Sequence, residues 1–111
     1  MADIGALAQK YDKFVIFDTE TTGLDFQRDE IIEFSAVVLE RRGNEVVVTR
    51  EYDNLVTLSP GNTVPPKITE LTGITDEMVA GAPKTKQALE LFFDFVKVDF
   101  RALEKEAAVK E

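Results

Sequence analysis

Residues 15–24 read VIFDTETTGL, an apolar run that ends in two carboxylates and a threonine-glycine segment. The apolar side chains, which begin at Phe14, are β-branched and aromatic, and they predict a buried β-strand that ends near Asp18. Residues 21–23 predict a turn beyond it. Because successive side chains of a strand point to opposite faces, Asp18 and Glu20 project to the same side. The sequence therefore predicts two carboxylates together at the rim of a core.

Such a pair of carboxylates suits metal chemistry. Two carboxylates on one rigid rim can share or bridge divalent cations, and two such ions about 4 Å apart clamp the attacking and leaving oxygens of a phosphodiester. Residues 21–23 would expose backbone amides beside the metal, where a nucleotide could dock. A short Asp-x-Glu string alone is weak support for this hypothesis, because most such pairs are solvated strand ends.

Two more strands are expected downstream. Residues 30–39 and 45–56 are rich in strand-forming side chains, and Gly43 with Asn44 predicts the hairpin turn between them, so the two strands should be antiparallel. The predicted fold class is therefore α/β, with a three-stranded antiparallel or mixed sheet followed by C-terminal helices.

Helices are expected at the two ends of the chain. Residues 2–10 predict a short helical turn. Pro65 and Pro66 suit the first turn of a helix that Gly73 ends, and Thr75 is a plausible N-cap for a second one. From Thr85 onward, apolar residues recur at helical spacing and predict one long helix. A short strand at residues 95–98 is the alternative.

Composition limits the function classes. The chain has 111 residues, 44% of them hydrophobic and 31% charged, which indicates one globular domain over residues 1–111. It lacks both an apolar run of roughly 18 residues and the basic, apolar start of a signal peptide. We therefore expect a soluble, cytoplasmic chain without a membrane partner.

Charge and missing residue types narrow the chemistry. The chain contains no histidine and no cysteine, so imidazole bases, common zinc sites and disulfides are excluded. Any metal would be held by oxygen ligands, which favours Mg²⁺ or Mn²⁺. A net charge of −8 argues against a general phosphate-tracking surface, but a bound divalent metal can reverse the field locally.

Longer strings identify a family resemblance. Residues 15–24 resemble the first motif of the DEDD exonuclease superfamily, and more narrowly the proofreading exonuclease of bacterial DNA polymerase III. Two further strings are similar to that family in register, EIIEFSAV at residues 30–37 and PKITELTGITDEMV at residues 66–79. The resemblance extends from residue 13 to about residue 96.

The resemblance implies a ribonuclease H-like fold, with a five-stranded mixed sheet in the order 3-2-1-4-5, here truncated. It implies removal of nucleotides from a 3′ end by two Mg²⁺ or Mn²⁺ ions. DNA is expected ahead of RNA, and a polymerase as a partner, but the residues themselves leave both DNA and RNA open. Asp18 and Glu20 match the metal ligands of the first motif. The residues that match those near the terminal nucleotide are Thr21, Thr22, Gly23, Leu24, Thr72 and Ile74. Ile74 also fits a place in the core.

The family pattern breaks off after this point. Its second motif, an apolar strand with His-Asn and then Phe-Asp, does not occur here, and its third requires a His or Tyr shortly before an Asp. The only tyrosines are Tyr11 and Tyr52, both upstream of that place. Asp99 is the one candidate for a further carboxylate, and the alternative is an exposed residue on a continuous helix.

A partial sheet would also affect association. In the family order, strand one lies between strands two and four. Without a fourth strand, residues 14–17 become an apolar edge, which favours pairing with another chain. We therefore expect a homodimer, a swapped assembly or a complementing fragment.

Overall fold

A computed structural model describes residues 10–110, with side chains described as far as Val98. The strands are β1 (Lys13–Thr21), β2 (Ile31–Arg42) and β3 (Glu45–Leu55), and the helices are α1 (Pro66–Thr72), α2 (Asp76–Ala80) and α3 (Thr85–Lys110). The helical turn predicted at residues 2–10 falls, except for its last residue, outside this part of the chain. Over residues 10–110, no helix combines the length and apolarity that a membrane crossing requires.

The strands form one antiparallel sheet in the order β1-β2-β3. A tight turn at Gly43 and Asn44 joins β2 to β3, and Gly43 has a φ of 65°, which glycine adopts without steric cost. The predicted hairpin and the three-stranded sheet are confirmed. This order corresponds to the first three positions of the sheet that the family resemblance implies.

β2 is the central strand, and its side chains alternate strictly between two environments. Those that face the helices are at most 5% exposed, and they are Ile32, Phe34, Ala36 and Val38. One core cluster joins Phe34 to Phe92 of α3, and a second joins Ile32 to Val79 of α2. The intervening side chains of β2 are only partly buried. The sheet therefore has a face covered by helices and an open face.

β1 is less buried than its sequence predicts. It continues past Asp18 to Thr21, and Ile16 and Phe17 remain 52% and 62% exposed. Two features explain the difference. Ile16 lies on the open face, and β1 is an edge strand of the described sheet, so that the Phe17 ring meets α3 mainly at Phe92, 5.6 Å between centroids.

The helix boundaries follow their capping residues. Gly73 ends α1 in the left-handed conformation with a φ of 80°, and the Thr75 hydroxyl oxygen accepts a hydrogen bond from the Met78 amide at 3.3 Å. The long helix α3 is continuous through residues 95–98, so the alternative strand there is wrong. Phe95 and Val96 follow Phe92 by three and four residues and pack on the same core cluster, which explains why this apolar run remains helical.

Candidate functional site

The two carboxylates of the first motif lie on the open face of β1. Asp18 pairs with Ser35 and Glu20 with Glu33 across the β1–β2 ladder. Between them in sequence, Thr19 pairs with the buried Phe34. Asp18 and Glu20 therefore point away from α3, on the same side, as the strand periodicity predicts. The register shifts immediately after Glu20, where the chain leaves the regular ladder.

Two acidic side chains from the other strands share this face. Glu33 lies opposite Glu20 on β2, and Asp53 of β3 lies opposite Ser35, the partner of Asp18. Glu33 and Asp53 are joined by a side-chain hydrogen bond. All three strands therefore contribute carboxylates to one end of the open face.

This concentration of negative charge has an electrostatic effect. Burial, the hydrogen bond to Asp53 and the nearby carboxylates of Asp53, Glu20 and Asp18 together raise the pKa of the Glu33 carboxyl from 4.5 to about 7, with burial the largest cause. A carboxyl whose ionised form is disfavoured retains its proton to higher pH. Near neutral pH, Glu33 can therefore donate its hydrogen to Asp53.

The donor set suits a hard divalent cation but is incomplete within the described residues. Asp18 and Glu20 offer carboxylate oxygens, which Mg²⁺ and Mn²⁺ prefer. Among the residues with described side chains, no group of three or more acidic, histidine or cysteine side chains is arranged to hold a metal ion. Glu33 and Asp53 share the face, but they do not complete such a group.

Asp29 organises the loop that follows Glu20. Its carboxylate accepts hydrogen bonds from the Thr22 hydroxyl at 3.0 Å and from the Asp25 amide at 2.8 Å. A Cβ at position 23 would lie 2.4 Å from that carboxylate. Gly23 is therefore required by the close approach of Asp29, because a side chain there would displace a group held by two hydrogen bonds.

The loop uses some of the groups that the sequence assigns to a nucleotide. The Thr22 amide donates to the Glu30 carbonyl at 2.9 Å, so the expectation of an exposed amide is wrong at Thr22. The Thr21 hydroxyl donates to the Gly23 carbonyl at 2.7 Å. Leu24, in contrast, is fully exposed at 103%. Its side chain is accessible to a ligand.

The predicted site residues farther along the chain are Thr72, Ile74 and Asp99, and they lie in different parts of the fold. Ile74 is 3% exposed and packs with Ile32 in the core, as the core alternative predicts, and its contact with substrate stays a prediction. The Thr72 hydroxyl donates to the Ile68 carbonyl at 2.7 Å and accepts from the Ile74 amide at 3.1 Å, which stabilises the end of α1. Asp99 lies on α3, and its side chain is outside the described part.

Sequence reasoning missed Glu33, Asp53 and Asp29. A signal for Glu33 was present, because strict alternation with Phe34 places it on the face opposite the core. The hairpin turn then fixes which β3 residues lie beside it. No comparable local signal points to Asp29, whose partners depend on the path of the whole loop.

Comparisons with known proteins agree with this geometry. The model of the RNase T family, described as exonuclease, matches residues 15–107. The DNA polymerase III subunit epsilon of Aquifex aeolicus is 37% identical over 83 residues, 75% of this chain and 38% of that protein. A PolC-type DNA polymerase III of Clostridium perfringens is 43% identical over 86 residues, 77% of this chain and 6% of that protein. This chain thus spans well under half of either relative.

Solved structures show the same fold. The nuclease domain of 3′hExo, a DEDDh family member bound to rAMP, superposes with a TM-score of 0.68 and 28% identity, over 80% of this chain and 46% of that domain. Exonucleases of this kind generally use divalent metal ions. The chain therefore belongs to the RNase T exonuclease family, as an α/β domain similar in sequence to DNA polymerase III subunit epsilon and to PolC-type DNA polymerase III.

Proposed function

We propose that residues 1–111 act as a single, partial 3′→5′ exonuclease-type domain at the 3′ end of DNA, in proofreading. The observation that carries this proposal is the placement of Asp18 and Glu20 on the same open face of β1, immediately before a loop whose backbone is fixed by hydrogen bonds. The relatives that are 37% and 43% identical are DNA polymerase III proteins, which favours DNA and a polymerase partner.

Each part of the site has its own role. Asp18 and Glu20 hold the divalent cations, Mg²⁺ or Mn²⁺, which when bound activate water and neutralise charge on the phosphodiester. Residues 21–24 receive the terminal nucleotide, with the exposed side chain of Leu24 against it. Thr72, whose hydroxyl is held by Ile68 and Ile74 at the end of α1, lies in the segment near the terminal base. Asp99 is the remaining candidate for a further carboxylate.

A second function is favoured by the incomplete ligand set. Two strand carboxylates without a third ligand among the described side chains hold a cation weakly. The chain then acts as a module that binds metal and nucleic acid, or another protein, without hydrolysing the phosphodiester. The chain alone and the chain with a complementing partner would differ in activity.

The free edge of β1 supports such a partner. Within the described residues β1 pairs with β2 alone, and its apolar side chains Ile16 and Phe17 are more than half exposed. An unpaired, apolar strand edge is a template for another strand. We infer that a second copy or a complementing fragment pairs there and adds ligands to the face that carries Asp18.

A nuclease time course tests the catalytic proposal. A 5′-labelled single-stranded oligonucleotide, as DNA and as RNA, is incubated with Mg²⁺ or Mn²⁺, and products are resolved on a gel. Stepwise shortening from the 3′ end is expected for the parent and not for Asp18→Asn. Retained binding without shortening in either metal would support the non-catalytic module. Equal shortening by both proteins would contradict the role of Asp18.

Light scattering after size-exclusion chromatography tests the edge. Ile16→Lys places a charge on β1, and Val48→Lys places one on β3, at a side chain that is also 52% exposed. The parent and Val48→Lys are expected to associate at micromolar concentration, whereas Ile16→Lys is expected to be monomeric. A monomeric parent would overturn pairing between copies, and equal masses for both variants would exclude β1 as the edge used.

A further inference from the structure

The loop between β1 and β2 exposes two large apolar side chains that are two residues apart in sequence. Leu24 is 103% exposed and Phe26 is 91% exposed. Full exposure of a phenylalanine ring forfeits the favourable burial that such rings usually gain on folding. Among the described residues, the other aromatic rings of the sheet and α3 pack against one another, as Phe34 does on Phe92 at 5.2 Å. Phe26 is therefore the most exposed aromatic side chain among the residues whose side chains are described.

This exposure occurs on a fixed backbone. The Asp29 amide donates to the Asp25 carbonyl at 2.7 Å, and the Asp25 amide donates back to the Asp29 carboxylate at 2.8 Å. The Gln27 amide donates to the Asp25 carboxylate at 3.0 Å. These bonds hold the backbone on both sides of Phe26. The ring is thus presented on a pre-organised turn, which lowers the entropic cost of binding to it.

A cation lies next to this ring in sequence. Arg28 is exposed and lines a cavity of about 300 Å³ between the loop and residues 61–65, together with Thr22, Asn62 and Thr63. The carboxylates in that lining already accept hydrogen bonds. Asp29 accepts from Thr22 and Asp25, and Glu30 accepts from Ser59 and Asn62. Those donors are neutral and leave both carboxylates charged, so the Arg28 guanidinium is the one positive charge in a lining that also carries two negative charges.

We propose that Phe26 stacks on a nucleobase of a single-stranded nucleic acid, with Arg28 facing its backbone phosphate. Grooves for single strands combine aromatic stacking platforms with positive charge, and here both occur within three residues. The loop leaves β1 directly after Glu20, so a strand whose end lies at the carboxylates passes along it. This inference rests on the proposed function, and it adds a base contact independent of the metal ligands.

A tryptophan reporter tests stacking directly. The chain contains no tryptophan, so Phe26→Trp gives a single emitter at the proposed contact. Titration with a short oligothymidylate is expected to quench its emission, because stacked bases quench indole. Val48→Trp, on the open face of β3, serves as the matched exposed control and is expected to keep its emission. Equal quenching at both positions would overturn stacking at this loop.

Affinity measurements complete the test. By fluorescence anisotropy, Phe26→Ala is expected to bind the oligonucleotide roughly 5- to 150-fold more weakly than the parent, the range for loss of one stacked base. Phe26→Tyr is expected to restore binding. Against an oligonucleotide made abasic along its length, parent and Phe26→Ala are expected to bind alike, because no base remains to stack.

The possible results distinguish base stacking by Phe26 from the proposed exonuclease-type function on which it rests. If the parent binds no oligonucleotide with Mg²⁺ present, both are overturned. If the parent binds and Phe26→Ala binds equally well, stacking alone is overturned, and Asp18 with Glu20 remains the site. If Phe26→Ala instead lowers the molar mass in solution, the ring is a contact between protein chains and the nucleobase is excluded.

Discussion

The two faces of the sheet are built from the same strands but serve different ends. On the covered face, Ile32 and Val38 of β2 are fully buried against helices and loops. On the open face, one position away, Glu33 shares its surroundings with carboxylates from both neighbouring strands. Burial stabilises the first face, whereas concentrated charge destabilises the second. On β2, stability can therefore be altered at the even-numbered positions of the covered face, and chemistry at the odd-numbered positions of the open face.

The largest loss of folding stability is expected from a substitution on the covered face. Phe92 is 6% exposed and its ring contacts those of Phe34 and Tyr52 at 5.2 and 5.8 Å. Phe92→Ala should lower the free energy of unfolding by about 3–4 kcal/mol, because it removes a buried ring and leaves a cavity. Urea denaturation followed by circular dichroism measures this loss.

The neighbouring ring is the control for Phe92. Phe93 lies on the same helix but is 51% exposed, so Phe93→Ala should cost about 1 kcal/mol or less. Equal losses for the two variants would contradict the assignment of Phe92 to the core, and would remove the distinction between the two sides of α3.

The next effect belongs to the open face and concerns metal rather than stability. Asp18→Asn keeps the size of the side chain but removes a charged ligand, and it should lower the affinity for Mn²⁺ at least about tenfold, or about 1.4 kcal/mol. With a chelator present, the free energy of unfolding should change by no more than about 0.5 kcal/mol, because Asp18 is exposed. Thermal melts with and without Mn²⁺ measure both quantities.

A smaller effect is expected at Glu33, with a defined pH dependence. Its folded pKa of about 7 lies above the ordinary 4.5, so the folded chain holds a proton that the unfolded chain releases between these values. Stability therefore falls as pH rises through this window. Glu33→Gln, which can still donate to Asp53, should be more stable than the parent at pH 8.

The expected gain at Glu33 is modest. The full shift corresponds to about 3 kcal/mol, and solvent screening of this partly exposed group reduces it to about 1 kcal/mol. The stabilities of the parent and of Glu33→Gln must be compared with a chelator present, since a bound cation would offset the repulsion among the carboxylates. The difference in stability between Glu33→Gln and the parent should vanish below pH 4.5, where Glu33 is protonated in both the folded and the unfolded chain. A parent that is as stable as the variant at pH 8 would show that charge on the open face has no such cost.

The smallest effect is expected at the cap of α2. The Thr75 side chain accepts a hydrogen bond from the Met78 amide at 3.3 Å, which is long for such a bond. Thr75→Ala should cost about 0.5–1 kcal/mol, whereas Thr75→Ser, which retains the hydroxyl, should cost less. Chemical denaturation distinguishes them. A loss as large as that of Phe92→Ala would mean that α2 holds the covered face together.

Sequence alone predicted much of the fold because its signals are local. The Gly43–Asn44 turn fixes the β2–β3 hairpin, Gly73 and Thr75 mark helix ends, and alternation placed Asp18 and Glu20 on one face. Burial of β1 was overestimated, because an apolar run does not reveal which strand is an edge. The paired state of the Thr22 amide was also missed, because its partner is eight residues away at Glu30.

The candidate site was only partly predictable for the same reason. Motif spacing identifies Asp18 and Glu20, which lie on one strand, but Glu33 and Asp53 join them only through the register of three strands. The exposure of Phe26 depends on the hydrogen bonds around Asp29. The pattern predicted a core position or a ligand contact for Ile74. Packing against Ile32 confirms the core position, and the ligand contact stays a prediction.

The β1-β2-β3 order has a consequence for how the chain folds. Each described strand pairs only with its neighbour in sequence, so the loops that must close are short. Sheets built from such local pairings form faster than those that join distant segments. We expect the three-stranded sheet to form early, with Asp18 and Glu20 already on one face. Later packing of α3 on the other face would fix the side on which these carboxylates remain accessible.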